Sequence, residues 1–252
     1  MIDTHAHLNF PQFDRDREKV IRDATSGGVE RIVNVGVDLE SSQKSINLAQ
    51  AYPQIYATVG FHPHDAKKFT KSSLKELKRL AQHPKVVAIG EIGLDLHRNL
   101  SPVEKQKEAF VSQLQLASDL GLPVVVHIRQ AYQESLEILE KQKNIKGVLH
   151  CFEGDIKEAK RGLDLGFYIS FNGKITYDNP SLVSLVEQVP MERIVVETDS
   201  PYLPPYPHKR KRNEPAWVRL VIEKIAQIKT QLSFEEAKKL TTSNAYNLFG
   251  WK

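Results

Sequence analysis

The sequence lacks several features, and each absence excludes a class of protein. Cys151 is the single cysteine among 252 residues, so the chain forms no intramolecular disulfide. The opening residues show neither the basic start nor the apolar stretch of a secretory signal, and no apolar run approaches the roughly 18 residues of a membrane span. We therefore predict a cytoplasmic protein with no membrane partner, and no feature predicts an obligate protein partner.

Glycine-rich phosphate-binding loops are also missing. Neither GxGxxG nor GxxxxGK[ST] occurs in the chain, which disfavours an open doubly wound sheet with a nucleotide-binding turn. There is no low-complexity tract, and the composition, with 40% hydrophobic and 26% charged residues, is that of a globular protein. The formal net charge of +4 permits a polyanionic partner without requiring one.

Eight short strand-like runs recur along the chain. Their near-continuous apolar character is typical of strands that are buried on both faces, as in parallel sheets. They begin near Ile2, Arg31, Ile55, Val86, Pro123, Lys146, Phe167 and Arg193 and read IDTHAH, RIVNVGV, IYATVGF, VVAIGEIG, PVVVHIR, KGVLHCF, FYISFNG and RIVVETD.

Segments with helical periodicity separate these runs. In residues 101–121, Ser101 is the predicted N-cap, Pro102 the first helical position, Glu104 the partner in a capping box and Gly121 the C-terminal stop. Eight strand–helix repeats without a linker-like tract predict one domain over residues 1–252, a single (β/α)8 TIM barrel. An additional C-terminal helix within residues 232–250 is expected to complete the outer layer.

Polar residues occur where the predicted strands end, which is where a barrel gathers its chemistry. Six of the nine histidines lie at such ends. The full set of strand-end residues is His5, His7, His62, His64, Glu91, His127, His150, Glu197 and Asp199. One histidine after an apolar run is usually structural, but six that converge on one rim predict a metal site.

The opening segment IDTHAH fits this interpretation. If this segment is a strand, Asp3, His5 and His7 lie on the same face. The alternative interpretation is a disordered terminus of the kind that an expression tag leaves. Imidazole and carboxylate ligands without cysteine suit divalent Zn, Mn or Mg rather than a structural zinc cage. The number of ligands exceeds what one open catalytic ion needs and favours two ions.

Seven ordered motifs make the chain similar to a known family. They are DTHAH at 3–7, GFHPH at 60–64, GEIGLD at 90–95, PVVVHIR at 123–129, HCF at 150–152, ETDSPYL at 197–203 and RNEP at 212–215. Together they resemble the motifs of TatD-related metal-dependent deoxyribonucleases, a branch of the amidohydrolase-like metallohydrolases. The resemblance runs from Asp3 to the closing SNAYNLFG and implies a distorted TIM barrel with two divalent metal ions.

The resemblance also implies a ligand set. His5, His7 and Asp199 would hold one ion, His127 and His150 the other, and Glu91 would bridge the two. Asp199 would also orient the attacking water or accept its proton.

Residues around the ligands receive roles in the same way. His62 would contact the phosphate or protonate the leaving 3′ oxygen from outside the metal shell, and His64 is a further substrate-binding candidate. Glu197 and Arg129 would orient ligands or bind phosphate, and Asp3 would support the site. Two positions depart from the family pattern, because Leu96–Arg98 replace a usual aromatic and Arg210 replaces a usual glycine.

Four consecutive basic residues follow the eighth strand, namely Lys209, Arg210, Lys211 and Arg212. Such a run is usually a solvated loop, but here it lies at the predicted catalytic rim near Tyr202 and Tyr206. Basic side chains that track a backbone beside stacking aromatics are typical of single-strand binding. Together with the family resemblance, this run leads us to expect a metal-dependent deoxyribonuclease, a 3′–5′ exonuclease acting on single-stranded or frayed DNA.

Two alternatives stay open at this point. The same site would serve an ester or amide hydrolase acting on a small molecule or an aminoacyl-RNA end. The chain would otherwise be a non-catalytic nucleic-acid-binding or scaffold protein with a vestigial site.

Overall fold

The computed structural model describes residues 1–142, 144–177 and 179–251, and its central feature is a parallel β-barrel. Eight strands within these residues pair in chain order, each with the next. They are β1 Ile2–Ala6, β2 Arg31–Asn34, β3 Ile55–Val59, β4 Val86–Asp95, β5 Val124–Arg129, β6 Gly147–Leu149, β7 Tyr168–Phe171 and β8 Ile194–Val196. The predicted (β/α)8 TIM barrel is confirmed.

Helices alternate with the strands and form the outer layer. Within the described residues they are α1 Arg17–Ser26, α2 Leu39–Ala51, α3 Lys71–Ala81, α4 Val103–Leu120, α5 Tyr132–Glu140, α6 Ile156–Asp164, α7 Pro180–Gln188, α8 Val218–Ile228 and α9 Phe234–Phe249. None of these helices is long and apolar enough to cross a membrane.

The predicted cap of α4 was wrong at its first residue. The helix begins at Val103 after Pro102, and Ser101 makes no capping bond. Instead, the Ser101 hydroxyl donates to the carbonyl of His64 at 2.7 Å and accepts from the Lys67 N–H at 3.0 Å. A tertiary contact with the segment after β3 thus replaces the local cap, while Gly121 ends the helix in the left-handed region at φ 65°, as predicted.

The barrel interior changes from apolar to polar along the strands. Val125, Val148 and Val195 belong to one buried cluster, which Leu248 and Phe249 of α9 cover. Residues two positions further along these strands share their inward face. These residues are His127, His150 and Glu197. The last helix therefore packs on the valine layer as well as beside α8, and the polar layer lies at the carboxyl ends of the strands.

The seam between β8 and β1 is closed mainly by loop and side-chain contacts. An isolated bridge joins Ala6 to Ser200. The Thr4 hydroxyl donates to the Val196 carbonyl at 2.9 Å. The fully buried Asp3 carboxylate accepts from the N–H of Thr198 at 2.9 Å and from its hydroxyl at 2.6 Å. Asp3 thus closes the barrel directly behind the polar layer.

Replacing Asp3 with alanine should destabilise the metal-free protein by about 2–4 kcal/mol, since it leaves the buried Thr198 donors unpaired. Asp3→Asn keeps one acceptor oxygen and should lose less than half of that. Urea denaturation in EDTA measures both changes. Equal losses for the two variants would show that the Asp3 hydrogen bonds do not stabilise the seam.

Candidate metal centre

The first group of candidate ligands lies between β1 and β8. His5 Nε2 is 3.1 Å from His7 Nε2 and 3.7 Å from Asp199 Oδ1. His7 Nε2 is 3.5 Å from the same Asp199 oxygen. Glu91 Oε2 completes the group at 3.4 Å from His5 Nε2 and 3.7 Å from His7 Nε2.

The second group gathers around the other oxygen of Glu91. Glu91 Oε1 is 2.8 Å from His127 Nδ1 and 2.9 Å from His150 Nε2, and these two nitrogens are 3.3 Å apart. His62 Nε2 is 3.3 Å from Glu91 Oε1. One carboxylate therefore faces two clusters with one oxygen each, which is the arrangement expected of a bridging ligand.

The donor set fits divalent ions. Atoms that lie about 2.1 Å from one ion in tetrahedral directions are roughly 3.4 Å apart, close to the spacing in both groups. Glu91 is only 3% exposed. Among the described residues, the ion pairs of Glu91 and Asp199 involve histidines alone, with no lysine or arginine. Carboxylates surrounded by histidines in this way suit a bound divalent metal.

The histidines and carboxylates shift each other's protonation. Burial would raise the pKa of Glu91, but His62 and His150 hold it well below its ordinary value. Burial opposes the charged form of His150, yet Glu91 and Glu197 raise its pKa well above the usual range. Burial lowers the pKa of His62 to about 4. Glu91 is therefore ionised, and His62 is neutral near pH 7.

Local backbone geometry brings the groups together. Gly93 in the GEIGLD motif has φ 142°, and a Cβ there would lie 2.0 Å from the His127 carbonyl oxygen. Only glycine permits this approach of β4 to β5, which places Glu91 beside His127. Asp199 itself has φ 56° and is held by its N–H to the His5 carbonyl at 2.9 Å. Strained backbone of this kind is common where a side chain must be aimed.

Asp95, which sequence reasoning did not select, supports the second group. Its Oδ2 is 2.7 Å from His64 Nε2 and 3.4 Å from His127 Nε2, and its Oδ1 accepts the N–H groups of His97 and Arg98 at 3.0 and 2.8 Å. With its Nε2–H directed at this oxygen, His127 presents the lone pair of Nδ1 to Glu91 and the second group. The sequence signal for Asp95 was its position as the last residue of the GEIGLD motif.

Glu197 supports His150 from the other side. Its Oε1 accepts the Cys151 N–H at 2.8 Å, and its Oε2 accepts the Ser170 hydroxyl at 2.6 Å. His150 Nδ1 lies 3.3 Å from Glu197 Oε1, although without hydrogen-bond alignment. The expectation that Glu197 orients a ligand stays a prediction, which its place beside His150 supports.

A cavity of about 530 Å³ opens above the two groups. The predicted substrate-binding residues His62, His64 and Arg129 line it. Sequence reasoning did not assign a site role to several other lining residues, among them Phe10, Arg98, Glu153 and Lys174.

None of the four residues Lys209–Arg212 lines this cavity. The structure in particular does not bring Arg212 to the site. Its guanidinium binds the Asp16 carboxylate at 2.7 and 2.8 Å and Glu214 at 2.9 Å, which ties the loop after β8 to the segment after β1. Lys209 lies over the Tyr177 ring at 4.2 Å. These contacts give Arg212 a structural role in the loop, and the expectation that it contacts phosphate stays a prediction.

Comparisons with known proteins agree with the fold and the motifs. The model of the TatD related DNase family matches residues 2–250. YabD of Bacillus subtilis, named an uncharacterized metal-dependent hydrolase, is 42% identical over 252 residues, which are 99% of this chain and 98% of that protein. TatD of Escherichia fergusonii, named a 3′-5′ ssDNA/RNA exonuclease, is 37% identical over 262 residues and 99% of each chain. The crystal structure of YjjV, a TatD homolog from Escherichia coli K12, has a TM-score of 0.93 at 30% identity and covers 99% of this chain and 98% of its own. The chain therefore belongs to the family of TatD-related DNases.

Proposed function

We propose that the protein is a divalent-metal-dependent hydrolase that removes nucleotides from the 3′ end of single-stranded DNA. The observation that carries this proposal is that Glu91 lies between two groups of candidate ligands, with one oxygen near each, on the floor of an open cavity. Two divalent ions held there would lower the pKa of water and offset charge on the phosphate. The names of the relatives TatD and YabD support the same reaction class.

The protein's own residues divide the remaining work. The Asp199 side chain is 14% exposed, against 4% for Glu91, so it is the carboxylate that substrate and water reach. It orients the attacking water or accepts its proton. His62 Nδ1 accepts the His64 N–H at 3.1 Å, so neutral His62 carries its proton on Nε2. His62 then serves as a hydrogen-bond donor to a phosphate oxygen or to Glu91, rather than as a metal ligand.

An aromatic wall beside the first group suits unpaired bases. Phe10 stacks on His7 with centroids 4.5 Å apart, and Tyr202 packs edge-on to both rings at 6.4 Å. Tyr202 lines the cavity and is 47% exposed. A base leaving a duplex would find a stacking surface here, which supports single-stranded or frayed ends as the substrate.

Replacing Tyr202 with alanine should weaken binding of a single-stranded oligonucleotide about tenfold, because one base loses its stacking surface. Tyr206→Ala is the matched control, since Tyr206 is 65% exposed and does not line the cavity. Fluorescence anisotropy with a labelled oligonucleotide measures both affinities. Equal effects of the two substitutions would locate base binding outside the aromatic wall.

The charge of the substrate distinguishes nuclease activity from the alternative of an ester or amide hydrolase. Changing Lys209, Arg210 and Lys211 together to glutamine should reduce the salt dependence of oligonucleotide binding by about two to three units of slope. A neutral ester substrate should be hydrolysed at an unchanged rate. Arg212 is left intact because it stabilises the loop. Unchanged DNA binding would show that Lys209, Arg210 and Lys211 do not contact the substrate.

The proposed function is tested with single-stranded DNA, single-stranded RNA and a neutral ester in Mg²⁺ or Mn²⁺. A 5′ label should give a ladder of shortened products, whereas a 3′ label should appear at once as a mononucleotide. Failure of the metal-loaded protein to cut any nucleic acid would overturn the proposal. Cleavage of the ester alone would favour the alternative.

A further inference from the structure

The wall of the cavity carries an ion pair that the ligand groups do not use. Lys174 and Glu153 both line the cavity, and the ammonium of Lys174 binds the Glu153 carboxylate. The Lys174 side chain is 24% exposed and that of Glu153 is 44% exposed. The lysine is thus the more enclosed of the two, while its partner is open to solvent.

Both residues are anchored to the polar layer through their backbones. The Lys174 N–H donates to Asn172 Oδ1 at 3.1 Å, and Asn172 Nδ2 lies 3.3 Å from Glu197 Oε1. The Glu153 N–H donates to the half-buried Tyr132 hydroxyl at 2.8 Å. Lys174 therefore has a defined position relative to the ligand groups, and only its side chain needs to change partner.

The pair has little structural work to do. An ion pair whose carboxylate is open to solvent adds little to stability, because water screens that charge. The cavity floor, by contrast, is rich in carboxylates that repel a phosphate. Cations on the wall offset this repulsion, and the other two cations among the described lining residues, Arg98 and Arg129, are both exposed. Lys174 is the partly buried cation of the set.

We propose that Lys174 binds a phosphate oxygen of the nucleic-acid substrate and that Glu153 competes with the substrate for it. This inference rests on the proposed function. In the free protein Glu153 holds the ammonium, and on binding the phosphate takes the place of the carboxylate. The pair then sets substrate affinity without taking part in metal binding.

Competition predicts opposite effects for the two partners. Lys174→Met should weaken oligonucleotide binding roughly tenfold and lower the salt slope by about one, since one phosphate contact is lost. Glu153→Gln should tighten binding about threefold, since the competing carboxylate is gone. The double variant should resemble Lys174→Met, because Glu153 acts only through Lys174. If the pair were purely structural, either substitution would instead destabilise the protein, and neither would raise its affinity for the oligonucleotide.

The experiment is fluorescence anisotropy of the metal-loaded protein with a labelled single-stranded oligonucleotide that carries cleavage-resistant phosphorothioate linkages, so that binding is measured without turnover. Lys160→Met is the control, since Lys160 is exposed on α6 and does not line the cavity. Weaker binding by Lys174→Met together with tighter binding by Glu153→Gln supports the proposal.

Two results would overturn the proposal while the proposed function stands. They are wild-type affinity in Lys174→Met, and a loss of affinity in Glu153→Gln as large as that in Lys174→Met. A wild-type protein that neither binds nor cuts any nucleic acid would overturn both the proposal and the proposed function.

Discussion

Replacing Glu91 with glutamine is expected to lower kcat by at least about 10³-fold and to remove most of the bound divalent metal. Both ligand groups depend on this one side chain, since Oε1 faces His127 and His150 while Oε2 faces His5 and His7. An amide offers one acceptor oxygen and turns an N–H₂ donor towards the other group. The variant therefore loses the bridge while it keeps the volume of the side chain.

Metal content by mass spectrometry and initial rates on labelled DNA measure this effect. Glu104→Gln is the control, because Glu104 lies on the exposed first turn of α4 and its side chain is 85% exposed. Circular dichroism of both variants should match that of the wild type. Full metal content and undiminished activity in Glu91→Gln would contradict the assignment of Glu91.

Replacing Asp95 with asparagine is expected to weaken divalent metal binding by about 10- to 100-fold. The Asp95 Oδ1 atom would still accept the His97 and Arg98 N–H groups, so the loop after β4 keeps its shape. At the Oδ2 position an N–H₂ group would now face His127 Nε2. His127 would then have to accept at Nε2 and carry its proton on Nδ1, the atom that faces Glu91.

His64→Asn separates the two functions of Asp95. It removes the contact between His64 Nε2 and Asp95 Oδ2 at 2.7 Å but leaves the contact with His127. Calorimetric metal titration should show nearly unchanged affinity in His64→Asn and the full loss in Asp95→Asn. The reverse order would show that His64, rather than His127, is the residue that Asp95 serves.

The barrel, and the gathering of the candidate ligands at one rim, could be predicted for one physical reason. Parallel strands buried on both faces read as apolar runs, so their starts were visible within about one residue. Polar residues follow those runs directly, for example His127 after VVV and Glu91 after VVAIG. Burying such side chains is costly unless they bind a common ligand. Because all carboxyl ends of barrel strands meet at one rim, sequence positions far apart could be grouped.

Contacts between loops could not be predicted in this way. Ser101 had the pattern of a helix cap, but its hydroxyl bonds to the distant segment at His64 and Lys67. Arg212 stood in a basic run, yet its charge is matched by Asp16, far away in the chain. The periodicity of strands and helices does not show which loop residues contact each other. A run of basic residues can therefore be recognised in the sequence, but the acidic residue that pairs with one of them cannot.

Residues that act through others were missed for a related reason. Asp95 is the last residue of GEIGLD, a motif in which only the glutamate was selected as a ligand. The role of Asp95 depends on His127 Nε2, which faces the Asp95 carboxylate. Lys174 and Glu153 come from the loops after β7 and β6 and meet only in the folded barrel. A single sequence shows residue types at strand ends, but not which of them touch.

We propose that one carboxylate, Glu91, joins two divalent ions on the barrel rim. The most direct measurement is an anomalous difference map from crystals of the protein grown with Mn²⁺ or Zn²⁺, together with metal content per chain. We expect two peaks, one within the group of His5, His7 and Asp199 and one beside His127 and His150, with Glu91 between them. A single peak in crystals saturated with metal, or peaks that do not contact Glu91, would contradict it.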